Sequence, residues 1–373
     1  TDKETPASSN GDESTQAQTT TEALEWHAPV LVRIDEHTTI PHLLKERVQR
    51  GATRPLILRK IGIGDTWRSI TAREFYDEVH ALAAGLIARG LEPGDRVAIM
   101  SRTRYEWTLL DFACWAAGLV PVPIYETSSI DQVAHVLVDA DVHLIITETV
   151  SMAEIVRAAA EREHRDNTHV LSLDSEAIET LIAEGSATPR ERVLARSEAL
   201  TKDDIATIVY TSGTTGTPKG TVLSHENFTN LCLNAHAWMP EIAAGKNSRL
   251  LLFLPLAHVF ARFLQVFQIS GNGVLGHAPN IKNLLPDLAS FRPSYLLVVP
   301  RVLEKIYNSA DTKARGPKQK IFRWAAKVAI AYSQALDTEE GPSTSLKAQH
   351  ALADKLVYQQ IIRLVGGNAD YIV

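Results

Sequence analysis

The chain reads as an α/β protein made of βαβ units around a largely parallel sheet. Between residues 41 and 173, short apolar runs alternate with segments of helix length and period. Such alternation calls for right-handed crossovers between parallel strands. The 373 residues, 45% of them hydrophobic, are enough for one large domain or two medium ones. No internal repeat of fixed period competes with this reading.

The first 22 residues are mostly Ser, Thr, Gln, Asp and Glu, and predict a disordered acidic tail. Order is expected from Leu24. Pro41 to Gln49 suits a short helix and Leu56 to Lys60 a strand, and Asp65 to Ile70 turns into a second strand. Thr71 and Glu74 have capping-box spacing. They open a helix whose Phe75, Val79, Leu82 and Leu86 share one face. Gly90 ends it, and Pro93-Gly94 turns the chain into a strand, Arg96 to Met100. A helix from Tyr105 to Ala117 carries Trp107 and Trp115 as core aromatics. Pro121 and Pro123 put the next strand at a sheet edge or end. Ser129 caps a helix through Val138. Strand Val142 to Thr147, helix Met152 to Glu163 and strand Val170 to Leu173 follow.

The chemistry concentrates at residues 205–220. Ile205, Ile208 and Val209 read as a short buried strand that stops at Tyr210. Ten residues almost free of apolar side chains come next. Gly213, Gly216 and Gly220 allow tight turns and close backbone approach. Thr211, Ser212, Thr214 and Thr215 supply hydroxyls, and Lys219 an amine held by Pro218. Donors clustered on such a turn suit a polyphosphate, whose oxygens accept from every side. A Walker loop needs a different spacing, with Ser or Thr after Gly-Lys. A flexible Gly/Thr linker would not follow a buried strand or end in Pro-Lys-Gly.

Thr221 to Leu223 returns as a strand, and Ser224 caps a helix. His225-Glu226 invites a zinc-protease reading, but Thr229 stands where the second histidine is required. Residues 250–269 are the most apolar stretch. Pro255, His258, Arg262 and Gln265 interrupt it, so a buried strand, a turn and a helix from Val259 fit better than a membrane span. Phe260, Leu264 and Phe267 would lie on one side of that helix. Gly271, Gly273 and Gly276 spell a dinucleotide fingerprint in the wrong context, after a helix and before a strand. A helix from Ile281 to Ser290, a strand from Tyr295 to Val299 and a helix from Pro300 to Asn308 precede a basic segment. Helices are expected at Ile321 to Leu336 and Leu346 to Leu364, and the chain ends on a strand. Lys313, Arg315, Lys318 and Lys320 read as a solvated face, with anionic lipid headgroups as the alternative partner.

Net charge −6, with no basic cluster interleaved with aromatics, argues against a nucleic-acid binder. Cys114 and Cys232 sit in apolar helical patterns and read as buried thiols of a reducing compartment. No signal-peptide pattern is visible. Thr1 in place of Met points to an upstream or trimmed start.

The run Tyr210-Thr-Ser-Gly-Thr-Thr-Gly-Thr-Pro-Lys-Gly220 resembles the phosphate-loop signature of the adenylate-forming family: acyl-CoA synthetases, aryl-CoA ligases, luciferases and peptide-synthetase adenylation domains. Tyr105-Glu-Trp107, residues 117–129, Leu254 to Arg262 and Pro293 to Arg301 are also similar to that family, most closely to its long-chain fatty acid–CoA ligases. The helices of about 311–364 resemble the insertion of those ligases.

The resemblance implies a multilayer adenylate-forming N-terminal domain over residues 23–373. Its chemistry would be ATP-dependent activation of a fatty acid, then transfer to coenzyme A. Thr211, Ser212, Gly213, Thr214, Thr215 and Gly216 would hold the phosphates. Thr211 would present its hydroxyl to Mg2+, and Lys219 would sit near the leaving pyrophosphate. His258 and Phe260 would border the acyl group. A cytoplasmic setting is implied, with peripheral membrane contact as the alternative. Other carboxylic acids, or a non-catalytic ATP-binding module, are the competing functions. The family's adenine and ribose motifs and its C-terminal lid domain with a catalytic Lys are not found in these 373 residues. The resemblance therefore covers the first part of a family member.

Overall fold

The computed structural model describes residues 29–62, 65–165, 167–211, 217–243, 245, 248–298 and 300–372. The predicted acidic tail, 1–22, lies outside them. Residues 1–30 form one unit and Leu31–Val373 another, and the second carries everything below.

Helix α1 (Ile40–Gly51) precedes β1 (Pro55–Lys60), β2 (Trp67–Thr71) and α2 (Ala72–Ala88). Then β3 (Arg96–Met100), α3 (Tyr105–Ala116), β4 (Val120–Ile124), α4 (Ile130–Asp139), β5 (Val142–Thr147), α5 (Val150–Arg162) and β6 (His169–Ser172) alternate. Helices α6 (Ala177–Glu184) and α7 (Arg190–Ala199) lead to β7 (Ile205–Thr211) and β8 (Lys219–Ser224). Next come α8 (His225–Trp238), α9 (Pro240–Ala243), β9 (Arg249–Leu252), α10 (Val259–Ser270) and β10 (Val274–His277). The last elements are α11 (Leu284–Phe291), β11 (Tyr295–Leu296), α12 (Pro300–Lys313), α13 (Pro317–Leu336), α14 (Thr344–Ala353), α15 (Gln359–Leu364) and β12 (Tyr371–Ile372).

One four-stranded sheet, in the order β4-β3-β5-β6, is parallel throughout. A second, β2-β1-β10-β9, is parallel except for the β1–β2 pair. Six of the eight strand pairings among the described residues are parallel, so the largely parallel reading holds. β4 is an edge strand, which is where Pro121 and Pro123 cost no ladder bond.

Helix α3 is buried along its whole length, with Trp107 and Trp115 both at 0% exposure. That suits a helix apolar on nearly every side. Helix α2 buries the predicted stripe of Phe75, Val79, Leu82 and Leu86. The Thr71–Glu74 box is formed: Glu74 N–H donates to Thr71 Oγ1 at 3.2 Å, and Thr71 N–H to Glu74 Oε2 at 2.8 Å. A cap of this kind contributes about 1 kcal/mol. Gly85, inside α2, is needed for packing, because a Cβ there would stand 1.9 Å from the Leu181 carbonyl oxygen of α6.

Several boundaries differ from the sequence reading. α5 starts at Val150 because Thr149 caps it, accepting from Met152 N–H at 3.2 Å. β9 ends at Leu252, short of Leu254, whose carbonyl accepts from the Thr103 hydroxyl at 2.7 Å instead of joining a ladder. Residues 281–290 divide into a 3-10 turn, Ile281–Asn283, and α11. A π-helical segment, Asp354–Tyr358, interrupts the last long helix. The Gly271–Gly276 fingerprint is a helix-to-strand connection, between α10 and β10. Cys114 and Cys232 are buried and free. Among the described residues, no helix is long and apolar enough to cross a membrane.

Candidate active site

β7 and β8 pair antiparallel, with Thr211 opposite Lys219 and Tyr210 opposite Gly220. Two residues eight positions apart in sequence thus become direct cross-strand neighbours, at a typical Cα separation of about 4.5–5.5 Å. They bracket the glycine- and hydroxyl-rich loop, and both are exposed. Ser212, Gly213, Thr214, Thr215 and Gly216 lie outside the described residues.

Three details correct the sequence reading of this segment. β7 continues past Tyr210 to Thr211, because the returning strand begins at Lys219 and pairs with it. Ile205 is 43% exposed, and Ala206 and Thr207 are buried instead, since the register shifts between Ile205 and Thr207. Gly220 belongs to a strand and not to a turn. A Cβ there would come within 3.1 Å of the Tyr210 ring, so the glycine lets that ring lie across the hairpin.

Helix α4 holds both feet of the hairpin. The Tyr210 hydroxyl donates to Asp139 Oδ2 at 2.6 Å. Burial, then this bond to a carboxylate, raises the phenol above its ordinary pKa. His135, one turn back on α4, places Nε2 2.7 Å from the Pro218 carbonyl oxygen. A carbonyl can only accept, so Nε2 carries the proton.

A buried polar chain fixes β7 against α10. Arg262 and Asp111 are both fully buried. The Arg262 guanidinium donates to Asp111 through Nη2 at 2.6 Å and Nε at 3.2 Å, and through Nη1 to the Thr207 hydroxyl of β7. Thr207 in turn donates to the Pro121 carbonyl at 2.7 Å. Gln265 Nε2 donates to Asp111 at 2.6 Å, and its oxygen accepts from Thr108 at 2.9 Å. With its own proton committed, Thr108 accepts from His277 Nε2 at 2.8 Å. Burial raises the Asp111 carboxyl, and the Arg262 charge and the Gln265 amide oppose that shift. Every contact reaching Asp111 here is a donor, as an ionised carboxylate requires. Burial lowers His277 to about 4, so its ring is neutral.

The turn before α10 is pinned as well. Thr103, just beyond β3, takes the Leu256 N–H at 3.1 Å while donating to Leu254. This delivers His258 to the N-cap of α10, where its Nδ1 accepts from Phe260 N–H at 3.2 Å. With Nδ1 accepting, the neutral ring keeps Nε2–H free to donate.

Thr211 and His258 line one cavity of about 390 Å³, closed by Ile124, Tyr125, Val209 and Pro218. That size lies within the ~300–1,000 Å³ of small-molecule sites. Phe260 lies outside the cavity, 44% exposed and stacked on Phe263. Lys219 stands beside it, across the ladder from Thr211. Sequence reasoning took Arg262 as an interruption of an apolar run and passed over Asp111, His135 and Thr103. The available signal was Asp111 itself, a carboxylate amid the apolar residues of α3.

A family model described as AMP-binding enzyme matches residues 44–353. The long-chain-fatty-acid–CoA ligase FadD15 of Mycobacterium bovis is 39% identical over 347 residues, covering 92% of this chain and 57% of that protein. The chain thus spans little more than half of this relative's length. Among solved structures, the adenylation domain of a carboxylate reductase from Mycobacterium chelonae superposes with a TM-score of 0.62 at 19% identity, over 90% of this chain and 53% of that one. VinN in complex with L-aspartate gives 0.59 at 19% identity, over 72% and 64%. At such identities these two structures speak to the fold alone.

Proposed function

Because the chain belongs to the AMP-binding enzyme family, we propose that it is the adenylating part of a long-chain fatty acid–CoA ligase. The observation that carries this is the hairpin that sets Thr211 opposite Lys219, with His258 on the wall of the same cavity. A carboxylate oxygen attacks the α-phosphorus of ATP and pyrophosphate leaves. The coenzyme A thiolate then attacks the acyl-adenylate carbonyl and AMP leaves. The first step brings two anions together, so fixed positive charge and donors must offset their repulsion.

Lys219 supplies the cation beside the leaving pyrophosphate, and the 212–216 amides and hydroxyls hold its oxygens. His258 offers Nε2–H at the acyl end, with Phe260 next to it on α10. The exposed Thr211 hydroxyl fits Mg2+, which takes few protein ligands when phosphates complete its shell. Bound there, the ion would neutralise developing charge on the phosphates. A cytoplasmic setting agrees with two buried, free cysteines.

The test is fatty-acid-dependent ATP–pyrophosphate exchange, run on this chain and on the product of the full reading frame. A panel should hold long-chain, medium-chain, aryl and amino acids, since VinN was solved with L-aspartate. Exchange confined to long-chain acids upholds the reading. Exchange only with aryl or amino acids replaces the substrate. Binding of Mg-ATP without exchange for any acid would leave a nucleotide-binding module.

A further inference from the structure

A second cavity, of about 550 Å³, opens between the Ile281–Pro286 segment and α12, and shares no residue with the candidate active site. Leu284, Leu285, Val302 and Ile306 give it an apolar interior, and Lys282, Arg301, Lys305 and Lys313 line it as well. No acidic residue lines it, and none of those four cations makes an ion pair among the described residues. The α12 positions involved, 301, 302, 305, 306, 309 and 313, follow helical spacing down one face. That face runs about 18 Å. Arg301 and Lys305 stand one turn apart, where like charges repel. Among the described residues no ion pair relieves that repulsion. A bound anion would.

We infer that this groove binds one monomeric long-chain carboxylate, its head on the cations and its tail over the leucines and Ile306. Carboxylates form strong charge-assisted bonds with guanidinium and ammonium groups. An elongated apolar interior takes a chain, which a free phosphate or nucleotide lacks. Leu284 and Ile306 are recessed, at 5% and 8% exposure, so the site accepts an inserted tail and is not a protruding wedge for a bilayer. The inference rests on the groove and does not depend on the ligase reading.

The probe is cis-parinarate, a fluorescent fatty acid, titrated into the chain without nucleotide. Lys282→Glu/Lys305→Glu and, separately, Ser309→Trp should each bind one molecule fewer per chain than the wild type. Lys327→Glu/Lys347→Glu, on exposed lysines outside the groove, should match the wild type. The corresponding uncharged alcohol should bind the groove at least tenfold more weakly. Unchanged stoichiometry in both folded groove variants would overturn the inference. So would equal affinity for alcohol and acid, or a charge-reversal effect seen only with phosphatidylglycerol vesicles. Pyrophosphate exchange reads the ligase proposal separately, so loss of either result leaves the other standing.

Discussion

Two parts of the site contrast. The β7–β8 hairpin presents Thr211 and Lys219, the facing ends of its two strands, to solvent. The Thr207–Arg262–Asp111–Gln265–Thr108–His277 chain is buried from end to end. The exposed part carries charge that a ligand can use. The buried part carries charge that the protein itself satisfies, and so sets where β7 and α10 lie. The difference is a division of labour: the exposed groups stay open to solvent, and the residues that position their strand are locked in place beforehand.

The largest expected effect falls on the buried side. Asp111→Ala leaves Arg262 charged and unpaired, and should cost about 3–5 kcal/mol of stability. Urea unfolding measures it. Pairing the change with Arg262→Met should cost less than the sum of the two single changes. Additive losses would mean that the two residues do not act as a pair.

On the exposed side, Lys219→Ala should lower pyrophosphate exchange by about 10²–10³-fold. Stability should stay within about 0.5 kcal/mol of wild type. If the variant unfolds as early as Asp111→Ala, the contrast between the two parts fails.

Acid should damage the buried part first. Burial depresses His277 to about 4 from an ordinary value of 6.5. Its stabilising share is complete above pH 6.5 and is lost as pH falls through 4, reaching about 3 kcal/mol. His225, buried in α8 and likewise lowered to about 4, adds in the same window. His277→Gln should remove about one proton's worth of slope from stability plotted against pH between 4 and 6.5. An unchanged slope would show that His277 is not titrating there.

The smallest effect concerns the tether. Tyr210→Phe removes the bond to Asp139 and should cost about 1 kcal/mol. His135→Ala should raise the KM for ATP more than it lowers kcat, and His135→Gln should restore much of the loss by donating again to Pro218. A fall in kcat alone would place His135 elsewhere in the reaction.

Much of the fold was legible because it rests on local patterns. The α2 stripe, the Thr71 box, the Ser129 cap and the edge prolines of β4 each follow from spacing within a few residues. Helices α6 and α7 drew no expectation. Their buried residues are few (Ala177, Ile178, Leu181 and Val193), and Gly85 of α2 does the accommodating. In the candidate site, the glycine- and hydroxyl-rich segment stood out by composition. Asp111 and Arg262 did not, since their partners lie 151 residues apart.

By itself the sequence determined the family motif, the α/β class, and a donor-rich segment between Thr211 and Lys219. Those are properties of residue type and short spacing. Tertiary structure decided that Thr211 faces Lys219, that His258 shares a cavity with Thr211, and that Arg262 is a buried strut. Such pairings depend on which distant segments desolvate one another, and no local pattern encodes that.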